Sequence, residues 1–356
     1  MIHILHLHTE LNLACGITRT ISQIINNSSS EFEHHLIALG GDGLNRFEAF
    51  NFNPIVLSLD RFSLIGALKI YFFLLNYCKK YSIQIIHSHH RSFDTITWLL
   101  KPFLKVKSIT SVQSKVYGKK KFSYKADKLI ACSSNIKNHL IKNFVIDNKR
   151  IIVIYNAVNS NIEIKKEQLG DKTGIEFDEY VIGFIGRIDF VEKGLDVLLN
   201  AFNEVIKLNP KIHLLIIGDG INSLQAEEFC LQNKSKATLI SSKENIFNYY
   251  NLIDLVILPS RVDPFPLTML EVGLMNLPFI GSNVDGISEF IENGKDGLLF
   301  ESGNVEELIN QIFKVYNDRE WGNKLASNLH KKVLESYTVD KIIPQYEKLY
   351  RELLIG

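Results

Sequence analysis

The stretch Ser260-Arg-Val-Asp-Pro-Phe-Pro-Leu-Thr-Met-Leu-Glu271 contains two acidic residues, Asp263 and Glu271, with seven residues between them. The apolar run Leu255–Leu258 that precedes it predicts a buried strand. The two prolines of the stretch fix φ and remove two N–H donors. The sequence therefore predicts a strand that runs into a rigid, extended loop.

A helix is predicted to begin near Leu267, with Pro266 suited to its first position. The N–H groups of Leu267 and Thr268 would point beyond the strand end and favour an anion there. Glu271 lies about one turn further, within reach of a polar group beside that anion. Two acids around such a helix start predict a phosphorylated, hydroxyl-rich ligand. The alternative is a loop acid followed by an ordinary surface glutamate.

The composition is that of an ordinary globular protein, with 46% hydrophobic and 22% charged residues. A length of 356 residues favours two domains. The net charge of +1 gives no reason to expect a nucleic-acid partner. The four cysteines are scattered, form neither a disulfide framework nor a zinc pattern, and fit a reducing cytoplasm.

Two apolar segments bear on membrane insertion. Residues 1–6 lack the features of a signal peptide and are predicted to form a first strand. The aromatic stretch from Phe62 to Cys78 contains Lys69 and is shorter than the ~20 residues that a span needs. We therefore expect an amphipathic or buried helix there.

Short apolar runs alternate with helical patterns along almost the whole chain. This alternation predicts an α/β fold with parallel sheets and helices on both faces. The predicted strands are Ile2–Leu7, His34–Leu39, Pro54–Leu57, Ile83–His87, Val106–Val112, Lys128–Ala131, Ile151–Ile154, Val181–Ile185, His213–Ile217, Leu255–Leu258, Pro278–Gly281 and Leu298–Phe300.

The polar, non-periodic segment from Asn159 to Glu179 is typical of an interdomain linker. We expect two doubly wound, Rossmann-like domains that face a central cleft, at residues 1–160 and 175–336. Ligands of such sheets bind beyond the carboxyl ends of the strands.

Two cations follow the first strand of the second domain. Arg187 lies at the strand end, and Lys193 lies just before the helical run Leu195–Leu208. Arginine offers a bidentate fork and lysine a point charge, so the pair could hold two phosphates. The alternative is a pair of ordinary surface cations near a turn. Gly218 closes another strand, and Ser242 is a candidate for lining a base pocket.

The first domain offers Gly16, where the backbone could approach a ligand closely. It also has His87, His89 and His90 at a strand end, which could handle a proton or an acceptor hydroxyl. No carboxylate or cysteine cluster completes a metal site, so no metal is expected. The alternative is that these histidines only cap the strand.

A lysine-rich segment, Lys115–Lys128, is interleaved with aromatic residues. It favours contact with an anionic membrane, and the alternative is a solvated loop. RNA would fit the aromatic residues, but the segment contains no RNA-binding motif. The residues are Lys115, Lys119, Lys120, Lys121, Lys125 and Lys128, with Tyr117, Phe122 and Tyr124.

Together these residues resemble the retaining GT-B glycosyltransferases of family 4. The resemblance covers nearly the whole chain and is strongest from Gly183 to Phe300. Such proteins return their last helix to the first domain, which would be residues 337–356. The motifs are Gly186-Arg187 to Lys193-Gly194, Pro259-Ser260, Asp263 to Glu271, Val284 to Glu289, Tyr155 to Asn159 and Ala126 to Ser134.

The resemblance implies transfer of a sugar from a UDP- or GDP-sugar to a hydroxyl of a glycan or lipid-linked acceptor, with retention and without a metal or cofactor. Arg187 and Lys193 would neutralise the departing diphosphate. Glu271 would hold the ribose, and Asp263 the transferred sugar. The implied donor-binding residues are Gly16, Gly186, Gly218, Ser242, Phe265, Pro266, Leu267 and Thr268.

Three departures from the family pattern affect the implied roles. Asp263 stands where glutamate is usual, and prolines 264 and 266 replace glycines that flank Phe265. Gln113 stands where the first domain usually has a histidine, and glutamine cannot carry a proton at neutral pH. His89 is the candidate to compensate.

The expected function is synthesis of a bacterial surface polysaccharide (capsule, O-antigen or lipopolysaccharide) in the cytoplasm, at the inner face of the membrane. Two alternatives are a sugar-nucleotide 2-epimerase of the same fold and a non-catalytic sugar-nucleotide-binding subunit. A nicotinamide-dependent oxidoreductase is disfavoured, because no Gly-x-Gly-x-x-Gly follows the first strand.

Overall fold

The computed structural model describes residues 1–12, 15–48, 54–58, 63–118, 120–161, 174–176, 178–241 and 246–355. The chain folds as two compact units. Unit 1 consists of residues 1–157 and 339–356, and unit 2 of residues 158–338. Much of the segment interpreted as a linker lies outside the described residues.

Unit 1 is built on a parallel sheet of seven strands in the order β3-β2-β1-β4-β5-β6-β7. Its strands are Ile2–Leu7 (β1), Phe32–Ala38 (β2), Ile55–Val56 (β3), Ile85–Ser88 (β4), Lys107–Val112 (β5), Lys128–Ala131 (β6) and Ile151–Val153 (β7). Its α-helices are Gly16–Asn27 (α1), Asn45–Glu48 (α2), Leu64–Lys80 (α3), Arg91–Leu100 (α4), Ser134–Phe144 (α5) and the C-terminal Val339–Ile355 (α13). Short 3-10 helices lie at Lys101–Phe103, Lys120–Phe122 and Asn148–Arg150.

Unit 2 is built on a parallel sheet of six strands in the order β10-β9-β8-β11-β12-β13. Its strands are Tyr180–Ile185 (β8), Ile212–Ile217 (β9), Ala237–Ile240 (β10), Leu255–Leu258 (β11), Phe279–Ser282 (β12) and Leu298–Phe300 (β13). Its helices are Leu195–Leu208 (α6), Ser223–Gln232 (α7), Phe247–Tyr250 (α8), Leu267–Leu274 (α9), Asp285–Phe290 (α10), Val305–Asn317 (α11) and Arg319–Ser336 (α12).

The predicted α/β class with parallel sheets is confirmed in both units. The central strands are near-continuous apolar runs because helices cover both of their faces, and β9 is buried at every residue. Sequence reasoning missed β10, which lies at the edge of its sheet and is buried only at its first residue. An edge strand needs little apolar sequence, so its pattern is faint.

The C-terminal helix α13 packs onto the sheet of unit 1. Its buried face includes Ile342, Tyr346 and Tyr350, which share one apolar core with Ile4 of β1 and Ile85 of β4. Burial of aromatic side chains of this size is a major stabilising term. The end of the chain is therefore part of the hydrophobic core of unit 1.

Within the described ranges, no helix is both long enough and apolar enough to cross a membrane. Helix α3, which corresponds to the aromatic stretch predicted as amphipathic or buried, has a buried row at Ile70, Leu74 and Cys78.

Candidate active site

The switch point of the unit 2 sheet lies at β8, which has β9 on one side and β11 on the other. In open α/β sheets, ligands bind where the chain leaves such neighbouring strands in opposite directions. Arg187 follows the carboxyl end of β8, and Asp263 follows that of β11. The two stretches singled out from the sequence thus meet at one edge of the sheet.

Lys193 and Asp263 form an ion pair at this edge. The Lys193 Nζ lies 2.6 Å from the Asp263 Oδ2, and the Ser260 hydroxyl donates to the same oxygen at 3.1 Å. The Asp263 side chain is only 6% exposed, whereas that of Lys193 is 24% exposed. The carboxylate therefore orients a partly accessible ammonium group.

The Asp263 loop is braced by the first residues of helix α10, which follows β12. The Gly286 N–H donates to the Asp263 carbonyl at 3.0 Å, and the Asp263 N–H donates to Asp285 Oδ2 at 3.2 Å. A Cβ at Gly286 would lie 2.0 Å from the Pro264 carbonyl oxygen, so only glycine permits this approach. The Val284 to Glu289 motif thus fixes the position of Asp263.

Gly194, the residue after Lys193, packs closely against the end of β11. Its φ of +64° favours glycine, and a Cβ there would lie 2.1 Å from the Pro259 carbonyl oxygen. The N–H groups of Arg261 and Val262 both donate to the Glu192 carbonyl, at 2.8 and 3.1 Å. These contacts place Lys193 beside Asp263.

We expect Gly194→Ala to lower the free energy of unfolding of unit 2 by about 1–3 kcal/mol, because the added methyl group overlaps backbone atoms. Donor binding should weaken as well, since Lys193 is displaced. Gly303→Ala is the matched control: Gly303 has a φ of +85°, but its Cβ would meet no atom within 4 Å. Thermal unfolding of both variants measures the loss of stability that the steric overlap causes. Equal losses in the two variants would contradict a close approach of Gly194 to the Pro259 carbonyl.

Arg187 is half exposed and pairs with acids of its own turn, Asp189 and Glu192. A phosphate would have to compete with these two carboxylates for the guanidinium group. Sequence reasoning missed Arg261, which forms a bidentate pair with Asp196 at 2.7 Å for both nitrogens. This pair ties the β11 loop to helix α6.

Helix α9 begins at Leu267, as predicted. Pro266 is its N-cap residue, with extended backbone at φ −68° and ψ 132°, rather than its first helical residue, so the expectation for that position was wrong by one. The Pro266 side chain makes no capping hydrogen bond, and the Thr268 hydroxyl donates to the Ile185 carbonyl at 3.2 Å. The helix start thus lies against the end of β8 and can present N–H groups to an anion.

Glu271 is 2% exposed, which contradicts the alternative of a surface glutamate. Its Oε2 accepts a hydrogen bond of 2.8 Å from the hydroxyl of Tyr250, on helix α8. A buried carboxylate needs such partners, because an unpaired one would be strongly destabilising. The second acid is therefore held in a defined position.

The other predicted donor residues differ in their surroundings. A Cβ at Gly218 would lie 1.9 Å from the Gly186 carbonyl oxygen, so β8 and β9 approach closely where they end. Phe265 is buried and its ring contacts Phe290 and Tyr337, which gives it a packing role inside unit 2. Ser242 lies outside the described residues.

In unit 1, Gly16 is the first residue of helix α1, and Gln113 directly follows β5. His90 is the N-cap residue of helix α4 and accepts from the Ser92 N–H, so it caps this helix and not the strand, as the alternative had it. His87 and His89 are buried.

His89 belongs to a chain of hydrogen-bonded imidazoles that the sequence did not reveal. Its Nε2 lies 3.0 Å from Nδ1 of His6, whose Nε2 lies 2.9 Å from Nδ1 of His34. His87 bonds instead to the hydroxyls of Tyr350 and Ser111, both at 2.8 Å. Burial lowers the pKa of His6, His87 and His89 well below its ordinary value.

The nitrogens of His6, His87 and His89 lie within 4.8 Å of one another, a spacing that could hold a transition metal. The bonds just described already use most of these nitrogens. His89 Nδ1 has no hydrogen-bond partner in the described part of the chain. This buried cluster lies where β1 and β4 end, so His6 joins it from a strand in which sequence analysis found no site residue.

Two glycosyltransferases from other organisms are similar in sequence to more than half of this chain. An uncharacterized glycosyltransferase of Methanocaldococcus jannaschii is 28% identical over 293 residues, which are 78% of each chain. The Escherichia coli UDP-Gal:alpha-D-GlcNAc-diphosphoundecaprenol alpha-1,3-galactosyltransferase is 27% identical over 238 residues. That match covers 64% of this chain but only 61% of the relative, which is less than two thirds of its length.

The fold has a close structural counterpart. Anabaena HepE, solved in complex with UDP-glucose, superposes with a TM-score of 0.86 and 16% sequence identity. The superposition covers 99% of this chain and all of HepE. At this identity the likeness concerns the fold, which is that of the GT-B glycosyltransferases.

Two family descriptions together account for most of the sequence. Residues 14–161 match Glycosyltransferase Family 4, and residues 165–332 match Glycosyl transferases group 1. The second range contains the Lys193–Asp263 pair and Glu271, and the first contains His34, His87 and His89 but not His6. The family resemblance of the sequence is confirmed, and the chain belongs to the family 4, group 1 glycosyltransferases.

Proposed function

We propose that this glycosyltransferase moves a sugar from a UDP- or GDP-sugar to a hydroxyl of a glycan or lipid-linked acceptor, with retention at the anomeric carbon. The observation that carries the proposal is the Lys193–Asp263 pair at the switch point of unit 2, beside the start of helix α9, where the N-cap residue Pro266 offers no side-chain cap. At one edge of the sheet, this arrangement combines a cation, backbone N–H donors and a carboxylate that can accept hydrogen bonds from sugar hydroxyls.

The reaction develops negative charge on the departing diphosphate. The acceptor oxygen bonds to the anomeric carbon as the bond to the phosphate oxygen breaks, and the electron pair and the acceptor proton both go to that phosphate oxygen. Lys193, Arg187 and the N–H groups at the start of α9 stabilise this charge. The proposal assigns to these side-chain cations the neutralisation that a metal ion would otherwise supply.

Asp263 acts in this proposal as a hydrogen-bond acceptor for the hydroxyls of the transferred sugar. Its Oδ2 is occupied by Lys193 and Ser260, so the carboxylate is fixed by two donors and is poorly suited to attack the anomeric carbon. Same-face attack by the acceptor needs no protein nucleophile, which supports retention without a covalent intermediate.

Glu271 is assigned to the ribose hydroxyls of the donor. Replacing it with glutamine removes the charge but keeps the shape, and hydrogen bonds to charged groups contribute about 1.5–3 kcal/mol. We expect Glu271→Gln to raise the KM for the donor about tenfold or more, with a smaller change in kcat. Initial-rate kinetics at varied donor concentration test this, and Tyr250→Phe should give a weaker shift in the same direction. An unchanged KM of Glu271→Gln for the donor would contradict the assignment of Glu271 to the ribose hydroxyls.

The acceptor and pathway are proposed from a relative. The Escherichia coli galactosyltransferase has a diphosphoundecaprenol-linked acceptor in its name. By analogy, we propose a lipid-linked acceptor and a role in bacterial surface polysaccharide synthesis, at the cytoplasmic face of the membrane. The basic segment Lys115–Lys128 supports such a location by its charge.

A thermal-shift screen with UDP-, GDP-, ADP- and CMP-sugars and the free nucleotides tests the donor. A ligand that binds only the native state raises the apparent stability with the logarithm of its concentration over Kd. We expect a shift with one base, UDP first because HepE binds UDP-glucose. No shift with any donor, from folded protein, would contradict the proposal.

Product analysis with the identified donor then separates the three functions. A glycoside with the anomeric configuration of the donor supports retaining transfer. An epimerised nucleotide sugar formed without acceptor would indicate the 2-epimerase. Donor binding without turnover, even with cell-derived acceptor lipid, would indicate the non-catalytic subunit.

A further inference from the structure

The positive charge of this chain is concentrated in one part of unit 1. Residues 63–128 contain twelve lysines and one arginine but only two aspartates and no glutamate, although the whole chain has a net charge of +1. Asp94 is buried and accepts from the Thr110 hydroxyl, and Asp127 pairs with Lys101. Neither acid offsets the other cations, so the surface of this segment is strongly basic.

Helix α3 in this segment has apolar residues on two opposite faces. Ile70, Leu74 and Cys78 lie in the core. Ile65, Leu68 and Phe72 recur at helical spacing on the other side and are 69%, 49% and 57% exposed. An apolar row that is half or more exposed along most of its length indicates an interaction surface.

Exposed aromatic residues are confined to the same segment. Every aromatic side chain in the described ranges that is more than about a third exposed falls between residues 72 and 122, and in the described part of unit 2 there is none. Besides Phe72 these are Tyr81, Trp98, Phe103, Tyr117 and Phe122. Aromatic and basic side chains together are typical of surfaces that enter the headgroup region of a bilayer.

These residues lie on neighbouring elements. Helix α3 packs against α4, which continues into the 3-10 helix Lys101–Phe103. Arg91 of α4 donates to the carbonyls of Tyr117 and Gly118 at 3.3 and 3.2 Å. We call the exposed faces of α3, α4 and the two 3-10 helices at 101–103 and 120–122 the basic aromatic surface.

The structure corrects part of the earlier interpretation of the lysine-rich segment. Tyr124 is buried against Phe144 and contributes nothing to this surface. Lys128 Nζ donates to the Lys149 carbonyl at 2.8 Å. Tyr117 and Phe122 are exposed as the interpretation requires, and α3 and α4 add further exposed apolar groups that the sequence did not connect with the lysines.

We propose that the basic aromatic surface docks onto an anionic lipid bilayer, with its apolar groups in the headgroup region and no segment crossing. This deepens the proposed function by naming the partner of unit 1. Charge complementarity favours lipid: a second copy would bring an equally positive surface against this one, and the aliphatic row of α3 offers nothing to a nucleic acid.

Vesicle flotation tests the proposal with the full chain, without donor or acceptor, so its outcome is independent of catalysis. Vesicles of phosphatidylcholine alone are compared with vesicles that also contain phosphatidylglycerol. We expect binding only to the anionic vesicles, and weakening by salt. Each cation removed should weaken the partition about fivefold.

Two double variants separate the apolar and ionic parts. Leu68→Ser with Phe72→Ser, and Lys120→Glu with Lys121→Glu, should each abolish flotation while the thermal unfolding stays unchanged. Leu224→Ser with Leu231→Ser, which changes exposed leucines of helix α7 in unit 2, is the control and should float like the unchanged protein.

Three results would overturn the proposal. The first is equal flotation with neutral vesicles. The second is a dimer in solution that the Leu68 and Phe72 changes dissociate, together with no vesicle binding. The third is binding to RNA in a mobility-shift assay by protein that does not float.

Discussion

Lys193→Ala should lower kcat about 10²- to 10³-fold, the loss that follows removal of one preorganised donor from a developing anion. The ammonium group is partly accessible and is aimed by a buried carboxylate, so its position is set before the donor arrives. A group already in place costs no reorganisation during the reaction. The KM for the donor should change less than kcat, because the charge on the diphosphate grows as the bond breaks.

The same substitution leaves the Asp263 carboxylate buried without its cation, which destabilises the fold independently of catalysis. The double variant Lys193→Ala with Asp263→Asn removes that carboxylate charge. We expect the double variant to regain thermal stability over the single one while its turnover stays low. Initial rates and thermal unfolding of both, compared with the unchanged protein, separate the two effects.

Lys295→Ala is the matched control, since Lys295 also pairs with an acid of unit 2, Glu292, but lies on the exposed surface. Its turnover should equal that of the unchanged protein. Near-normal turnover of Lys193→Ala would contradict the proposed role of the pair. A loss of kcat that the double variant restores would show that the pair matters only for stability.

The strand, loop and helix around Asp263 and Glu271 were predicted correctly because their signals are local. The spacing of Asp263 and Glu271, the prolines and the helix start at Leu267 all lie within one stretch of sequence. Such a stretch has only a few compatible backbone paths, since proline restricts φ. The structure adds what local pattern cannot contain, namely that Lys193 reaches Asp263 and that Tyr250 holds Glu271.

The histidine chain could not be predicted for the opposite reason. His6, His34 and His89 come from three strands that are far apart in sequence and adjacent only in the sheet. His6 is near the end of β1, His34 lies in the polar run Glu33-His34-His35 near the start of β2, and His89 directly follows β4, so no local motif connects them. The register of β1 against β2 and β4 creates the cluster, and register depends on tertiary packing.

Unit 1 should lose stability in mild acid, as the pH falls below about 6.5. Burial lowers the pKa of His6, His87 and His89 well below its ordinary value, and that of His34 to about 4. These groups are neutral when folded, and in the unfolded chain they bind protons near pH 6.5. Their stabilising contribution is therefore complete above pH 6.5 and is lost as the pH falls below it.

The size of the effect follows from linkage. Each such histidine lowers the free energy of unfolding by about 1.4 kcal/mol per pH unit below pH 6.5, until its folded pKa is reached. Four such histidines lie in unit 1, so the loss should be large compared with the about 5–15 kcal/mol by which a typical domain is stable. Glu347 opposes the shift at His34, so this site contributes least.

Hydrogen exchange followed by mass spectrometry at pH 7.5 and near pH 5 measures this loss for each unit separately. Unit 2 has His213 with a lowered pKa, and there Glu179 opposes the lowering. Peptides from residues 1–157 and 339–356 should therefore lose protection before those of residues 178–338. His34→Gln removes one titrating group and should shift the transition of unit 1 to lower pH. Equal loss in both units would contradict a cause in the histidine chain.

The order of unfolding also separates two origins of acid inactivation. If a catalytic group titrates, turnover falls while both units remain protected from exchange. If the histidine chain is the cause, turnover and the protection of unit 1 fall together, while donor binding by unit 2, measured as a thermal shift, persists. Because Lys193 and Asp263 both lie in unit 2, an acid-treated chain that still binds donor but transfers nothing would place the sensitive step in unit 1.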